Sequence, residues 1–168
     1  MTRQSGTVVL MCGLPGAGKT TYAMGLVRRG YARLSIDEVV WERLGRCDAG
    51  LVLPRAEFDR LKDGIRREQL VELVELMRAG RDVVVDYTFR SRTARDTYKA
   101  LVESHGCRWE LVHLKTDRAT LERRLALRNQ QAGANSSFVT AELFDHYFGS
   151  FEEPRGEGER VVLPQPPP

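Results

Sequence analysis

Gly13-Leu14-Pro15-Gly16-Ala17-Gly18-Lys19-Thr20 is the stretch on which the fold of this chain turns. It fits G-x-x-x-x-G-K-[ST] at every fixed position. Upstream lies Thr7-Val8-Val9-Leu10-Met11-Cys12, a continuous apolar run rich in β-branched residues, as expected of a strand buried on both faces of a parallel sheet. Downstream, Lys19 to Arg29 favours a helix that Gly30 stops. A glycine-rich turn between a buried strand and a helix aims exposed N–H groups and the positive end of the helix dipole at one point, where they attract phosphate. Gly16 and Gly18 permit the turn and the close approach. Gly13, Pro15, Gly16, Ala17, Gly18, Lys19, Thr20 and Thr21 are therefore the expected contacts of a nucleoside triphosphate, ATP, bound with Mg²⁺. Lys19 should reach the β- and γ-phosphates and Thr20 should complete the metal's coordination, with Thr21 a lesser contact to the α-phosphate.

Outward from the loop, strands and helices alternate. Tyr31 to Ile36 reads as a second strand with Asp37 at its edge, and a helix is expected from Asp37 to Leu44. Cys47 to Gly50 is a loop, and a longer amphipathic helix is expected from about Arg55 to Met77, with Phe58, Leu61, Ile65, Leu70, Leu73, Val74 and Met77 near helical spacing. Asp82 to Asp86 is a third strand, Ser91 to Ser104 a helix and Trp109 to Leu114 a fourth strand. Asp117 is the expected N-cap of an Arg-rich helix ending near Arg128. The polar stretch after it, with that helix, reads as a lid over about 117–139. A helix over Thr140 to Gly149 and a short edge strand over Arg160 to Leu163 complete the pattern. The expected fold class is α/β, a doubly wound parallel sheet with right-handed crossovers, in one domain over 1–163. Pro164-Gln165-Pro166-Pro167-Pro168 should be an extended or disordered tail.

In such a sheet, ligands bind beyond the carboxyl ends of the strands. Asp37, across the cleft from the phosphate loop, has the chemistry of a general base for an attacking hydroxyl, a role compatible with its also capping the helix that follows. Asp86 ends the run Val83-Val84-Val85, the pattern of an aspartate that supports Mg²⁺, or of a turn. Arg124 and Arg128 share a helix face at i,i+4 and precede the polar stretch, so they are the expected catalytic lid cations with Lys19 and Asp37, while Arg123 should pack or be exposed. Arg90, Arg92 and Arg95 stand at the expected mouth of the cleft as binders of an anionic acceptor or as ordinary surface charges, and Arg43 and Arg46 carry the same ambiguity. His105, His113 and His146 read as structural, and Trp41 and Trp109 as packing residues.

Composition narrows the classes. A 168-residue chain with 42% hydrophobic content has enough apolar material for one substantial core. A formal charge of +3 suits anionic substrates but falls short of a dedicated nucleic-acid binder. Three widely spaced cysteines without a CxxC pair indicate neither a disulfide framework nor a zinc site, and suit a cytoplasmic protein. No apolar run approaches the roughly 18 residues of a membrane span, so neither a membrane nor a protein partner is expected.

The sequence from Val8 to about Phe151 resembles the small P-loop kinases of the AAA-domain ATP-binding family, whose relatives include the kinase domain of phage-type polynucleotide kinase. The resemblance is carried by residues 13–21, by Ser35-Ile36-Asp37, by Val85-Asp86-Tyr87-Thr88-Phe89 and by Leu121 to Asn129. It implies the P-loop nucleoside triphosphate hydrolase/kinase fold with a small helical lid, whose arginines contact ATP phosphates, and Asp37 as general base. The acceptor it implies is a hydroxyl, on a small molecule or on a polynucleotide 5′ end. In polynucleotide kinases of this type a basic residue follows the base shortly, whereas here Glu38-Val39-Val40-Trp41 intervenes before Arg43. The competing class is a nucleotide-dependent switch without an acceptor; no N-K-x-D motif of a GTPase is present.

Overall fold

The computed structural model describes residues 5–48, 52–131 and 138–163. Strand β1 (Thr7–Cys12) is buried along its whole length, as its uninterrupted apolar sequence requires. It leads through the phosphate loop into α1 (Lys19–Val27). Then follow β2 (Ala32–Leu34), α2 (Ile36–Arg43), α3 (Arg55–Arg78) and β3 (Val83–Val85). The chain continues through α4 (Arg92–Ser104), β4 (Arg108–Leu114), α5 (Arg118–Arg128), α6 (Ala141–Gly149) and β5 (Glu159–Val162). The five strands form one parallel sheet in the order β2-β3-β1-β4-β5.

Alternation along the strands sends side chains to two separate cores. Val8, Leu10, Val83, Val85 and Leu111 pack with Leu73 and Met77 of α3 and Tyr98 and Val102 of α4. Val9, Met11, Val84, Val112 and Leu114 pack with Ala23 and Leu26 of α1, Leu121 and Leu125 of α5 and Phe144 of α6. Helices thus cover both faces, the doubly wound arrangement that continuous apolar strands demand. Each such aliphatic side chain contributes about 1.5–3 kcal/mol on full burial, and all six residues of β1 are buried.

Side-chain caps set where the helices begin. Ser35 Oγ accepts from Glu38 N at 3.3 Å, Ser91 Oγ from Ala94 N at 3.2 Å, Asp117 Oδ1 from Thr120 N at 2.9 Å and Thr140 Oγ1 from Leu143 N at 3.1 Å. The first of these corrects the expectation for the second strand. Strand pairing stops at Leu34 and Ser35 turns the chain into α2, so Asp37 lies in the first helical turn rather than at a strand edge. The expected tail at 164–168 and the lid residues 132–137 lie outside the described residues. The described ends of the lid segment are tied together by Asn129, whose Nδ2 donates to Val139 O at 2.9 Å while its Oδ1 accepts from Val139 N at 3.1 Å.

No helix among the described residues is long and apolar enough to cross a membrane. Cys12 and Cys107 are buried and Cys47 is exposed, and burial pushes the Cys12 thiol up to about 11. A thiol reagent at neutral pH is expected to label Cys47 alone in the native protein and all three cysteines after unfolding, which mass spectrometry of the labelled protein would show.

Candidate active site

The loop after β1 closes on itself through Ala17 N donating to Leu14 O at 3.1 Å, and Gly13 N donates to Thr88 O at 3.3 Å beyond β3. Gly16 and Gly18 have φ of 85° and 96°, the left-handed region that glycine tolerates. A Cβ on Gly16 would meet Leu125 Cγ at 3.4 Å, an ordinary contact, so its positive φ rather than crowding under α5 is what calls for glycine. Helix α1 begins at Gly18 with no side-chain cap, unlike α2, α4, α5 and α6, which leaves its first N–H groups aimed at the loop.

Several of the sequence-selected side chains meet around this loop. Lys19 Nζ lies across it, donating to Leu14 O at 3.0 Å. Burial lowers the Lys19 pKa, while Asp86 and Asp37 oppose that shift. Arg124 reaches from α5 to donate to Gly16 O at 3.2 Å. Arg128, one turn further, is largely enclosed, and its Nε is buried without a hydrogen-bond partner among the described residues. Desolvation lowers the Arg128 pKa, and the charge that opposes it is Asp37. Asp37 is exposed to solvent in the first turn of α2. Desolvation pushes its carboxyl above the ordinary value, with Lys62, Lys19 and Arg128 pulling the other way and Asp86 adding to the rise. Thr21 is exposed on the first turn of α1.

Asp86 is buried directly after β3. Its Oδ2 accepts from Thr20 Oγ1 at 3.3 Å, and also from Arg33 Nε at 3.0 Å and Arg33 Nη2 at 2.7 Å. Arg33 is one of two residues of the site that the sequence reading passed over. An arginine in the middle of a three-residue strand between Ala32 and Leu34 was the available signal, because a charge facing a sheet interior needs a buried counter-charge. The other is Gln69 on α3, whose Nε2 donates to Ser35 O at 3.0 Å while its Oε1 accepts from Tyr87 Oη at 2.6 Å. It links the start of the Asp37 helix to the residue after Asp86.

The remaining arginines separate cleanly. Arg95, expected at the mouth of the cleft, is fully buried and paired with Glu157. The reason is that α4 turns its apolar face, and Arg95 with it, onto the sheet. Arg92 pairs with Asp96 on the surface. Arg90 lies over the Tyr147 ring, 5.7 Å from its centroid. Arg43 pairs with Glu68, Arg46 with Glu42, and Arg123 is exposed. Trp109 is half-buried and packs against the core, and His113 is buried beside Phe151 with its pKa lowered by desolvation. A cavity of about 490 Å³ lined by Leu14, Ala17, His113, Thr116 and Phe151 adjoins the loop, but Lys19, Asp37 and Asp86 do not line it.

Comparison with known proteins bears on this arrangement. The AAA-domain family matches residues 8–154, from the middle of β1 to beyond α6. The chain belongs to the AAA-domain family. A UPF0200 protein of Pyrobaculum aerophilum is 34% identical to this AAA-domain chain over 79 residues, 47% of the chain and 44% of the relative, so less than half of that relative's length is matched. Among solved structures, a gluconokinase from Sinorhizobium meliloti 1021 superposes with a TM-score of 0.59 at 21% identity, covering 96% of this chain and 82% of that one. A chain of the Pnkp1/Rnl/Hen1 RNA repair complex superposes with a TM-score of 0.68 at 16% identity, covering 89% of this chain and 45% of that one. The AAA-domain chain therefore has the fold of the P-loop kinases.

Proposed function

We propose that this chain is a kinase that transfers the γ-phosphoryl group of ATP to a hydroxyl of an acceptor, with Mg²⁺ bound at the phosphates. The observation that carries the proposal is the carboxylate of Asp37, which shares one cleft with Lys19 and Arg128. A nucleotide-binding switch needs no such base.

Asp37 takes the proton of the acceptor hydroxyl as its oxygen bonds to the γ-phosphorus and the bond from that phosphorus to the ADP oxygen breaks. Desolvation, the largest influence on its carboxyl, moves it in the direction that strengthens it as a base. Lys19, Arg124 and Arg128 neutralise charge on the transferring group, and Nε of Arg128 is a buried donor without a partner among the described residues. The exposed N–H groups of the loop hold the phosphates, with Gly13, Pro15, Gly16, Ala17, Gly18 and Thr21 shaping the cradle.

The metal fits as a minor partner of the protein. Thr20 Oγ1 and Asp86 lie 3.3 Å apart beside the loop, and among the described residues no group of three or more His, Cys, Asp or Glu could hold an ion. This donor set suits Mg²⁺, which draws most of its ligands from phosphate oxygens and water and supplies charge neutralisation there.

The acceptor is a small molecule or a polynucleotide 5′ end, the range spanned by the gluconokinase and the RNA repair complex. Incubation with γ-labelled ATP and a panel of oligonucleotides, nucleosides, sugars and aminoglycosides tests the proposal. Label on one acceptor class supports it, whereas hydrolysis without transfer to any acceptor leaves a switch. Lys19→Ala is expected to weaken ATP binding about 10–100-fold, the loss of charge-assisted hydrogen bonds of roughly 1.5–3 kcal/mol. Calorimetric titration measures it, and an unchanged affinity removes Lys19 from the site.

A further inference from the structure

The guanidinium of Arg33 sits where the metal reading places a use for Asp86. Its Nε and Nη2 converge on the one oxygen, Oδ2, that Thr20 also engages. The Asp86 side chain is 3% exposed and that of Arg33 13%, so the ion pair balances this carboxylate's charge at direct hydrogen-bond range, with Lys19 as a further nearby cation. The third nitrogen, Nη1, lies 3.5 Å from Oε2 of Glu38, whose side chain is 43% exposed. Glu38 is held at that spot by the first turn of α2, where its backbone N–H donates to Ser35 Oγ. Arg33 therefore stands between two carboxylates, a buried one that it grips and an open one that it touches.

We propose that Arg33 is a positioning residue that competes with the divalent cation for Asp86, and that Glu38 receives the guanidinium when the cation arrives with the nucleotide. This rests on reading Thr20 and Asp86 as the metal side of the cleft. A single carboxylate beside both a divalent cation and a guanidinium would leave like charges facing each other at short range in a poorly solvated site. The shift to Glu38 is small, because contact already exists, and the freed guanidinium there is partly hydrated. The guanidinium thus balances Asp86 until a metal replaces it, and binding of metal and nucleotide is coupled to the movement of one side chain.

A merely structural ion pair makes the opposite forecast, which allows a clean test. If Arg33 served only to hold Asp86 in shape, its removal would weaken metal binding; if it competes, its removal tightens it. The full chain saturated with ADP is titrated with Mn²⁺ at pH 8, and free Mn²⁺ is followed by its electron paramagnetic resonance signal. Arg33→Met is expected to bind Mn²⁺ about tenfold more tightly than the wild type, and Glu38→Gln about threefold more weakly. Circular dichroism confirms folding. Should Arg33→Met not fold, Arg33→Lys, which keeps the charge and loses the two-nitrogen grip, is expected to tighten Mn²⁺ binding about threefold. Unchanged or weaker Mn²⁺ binding in the folded Arg33 variant overturns the proposal. Asp86→Asn separates the two layers: if it binds Mn²⁺ like the wild type, the metal reading fails and this proposal with it. If it loses Mn²⁺ while the Arg33 variant gains nothing, only the proposal fails.

Discussion

Asp37→Asn is expected to lower acceptor-dependent turnover by about 10²–10⁴-fold, the usual contribution of a positioned general base. ATP affinity should be unchanged or slightly tighter, since the substitution removes a negative charge from a cleft built for phosphates. Steady-state transfer and calorimetric titration with a non-hydrolysable ATP analogue measure the two quantities separately. The pH profile adds a second signature. Only the ionised carboxylate accepts a proton, and desolvation raises its pKa above the ordinary 3.8, so the acid limb of kcat/KM lies above that value and disappears in Asp37→Asn. The stability sign is also fixed. A carboxyl whose folded pKa exceeds its unfolded one favours folding most when protonated and opposes it at neutral pH. Asp37 is also an acid in the first turn of α2, where a negative charge favours the helix, so the two effects oppose and the variant should melt near the wild-type temperature at pH 7, which distinguishes loss of the base from loss of the fold. Wild-type turnover in Asp37→Asn would remove it from the base role.

Arg95→Met is expected to destabilise the protein by about 3–5 kcal/mol, the cost of breaking one side of a buried ion pair. The Arg95 side chain is 0% exposed and that of Glu157 2%. Two of its nitrogens donate to Glu157, Nε at 2.8 Å and Nη2 at 2.7 Å, and the third donates to Phe89 O at 2.8 Å. Lys99 Nζ donates to Glu157 O at 2.9 Å and stands 4.7 Å from the Trp109 ring centroid. One guanidinium thus ties α4 to the β3–α4 turn, where Phe89 is held at a φ of 45°, and to the segment that leads into β5. Removing it leaves Glu157 buried with Lys99 as its remaining cation. Urea unfolding at pH 7 reads the loss, and a change below about 1 kcal/mol, the scale of an exposed pair, would show that the network carries little. Arg95 holds the Glu157 carboxyl below its ordinary value of 4.5, so the wild type keeps this stabilisation above that pH and loses it as the pH falls through the depressed folded value. The difference between wild type and variant should therefore shrink in acid.

The fold was readable because its deciding signals are local. The apolar run of β1, the glycine turn and the start of α1 are contiguous, and the caps Ser91, Asp117 and Thr140 act on residues three positions away. Helix spacing singled out Arg124 and Arg128 on one face of α5, whereas strand-end logic misplaced Asp37, which stands in the first turn of α2 near Lys19 and Arg128. What escaped depends on tertiary pairing. Arg33 meets Asp86 across a separation of 53 residues and Arg95 meets Glu157 across 62, and no local pattern states such partners. Arg95 illustrates the hazard, since three arginines in a short stretch look alike until α4 is docked and one of them turns inward. Gln69 escaped for a similar reason: a polar residue on a long amphipathic helix reads as surface until Ser35 and Tyr87 are found on either side of it.

The strand order has a consequence for how the molecule comes into being. Val8 pairs with Val83 on one side and with Trp109 on the other, so the central strand has no near neighbour in sequence. Parallel pairing of such distant segments makes for slow folding, because loop closure precedes any reward. During synthesis, the strand that ends in the phosphate loop therefore emerges before both of its partners and waits, apolar on both faces, until the second has been made. A nascent chain stopped before residue 108 has no folded nucleotide cradle and presents an aggregation-prone segment in its place.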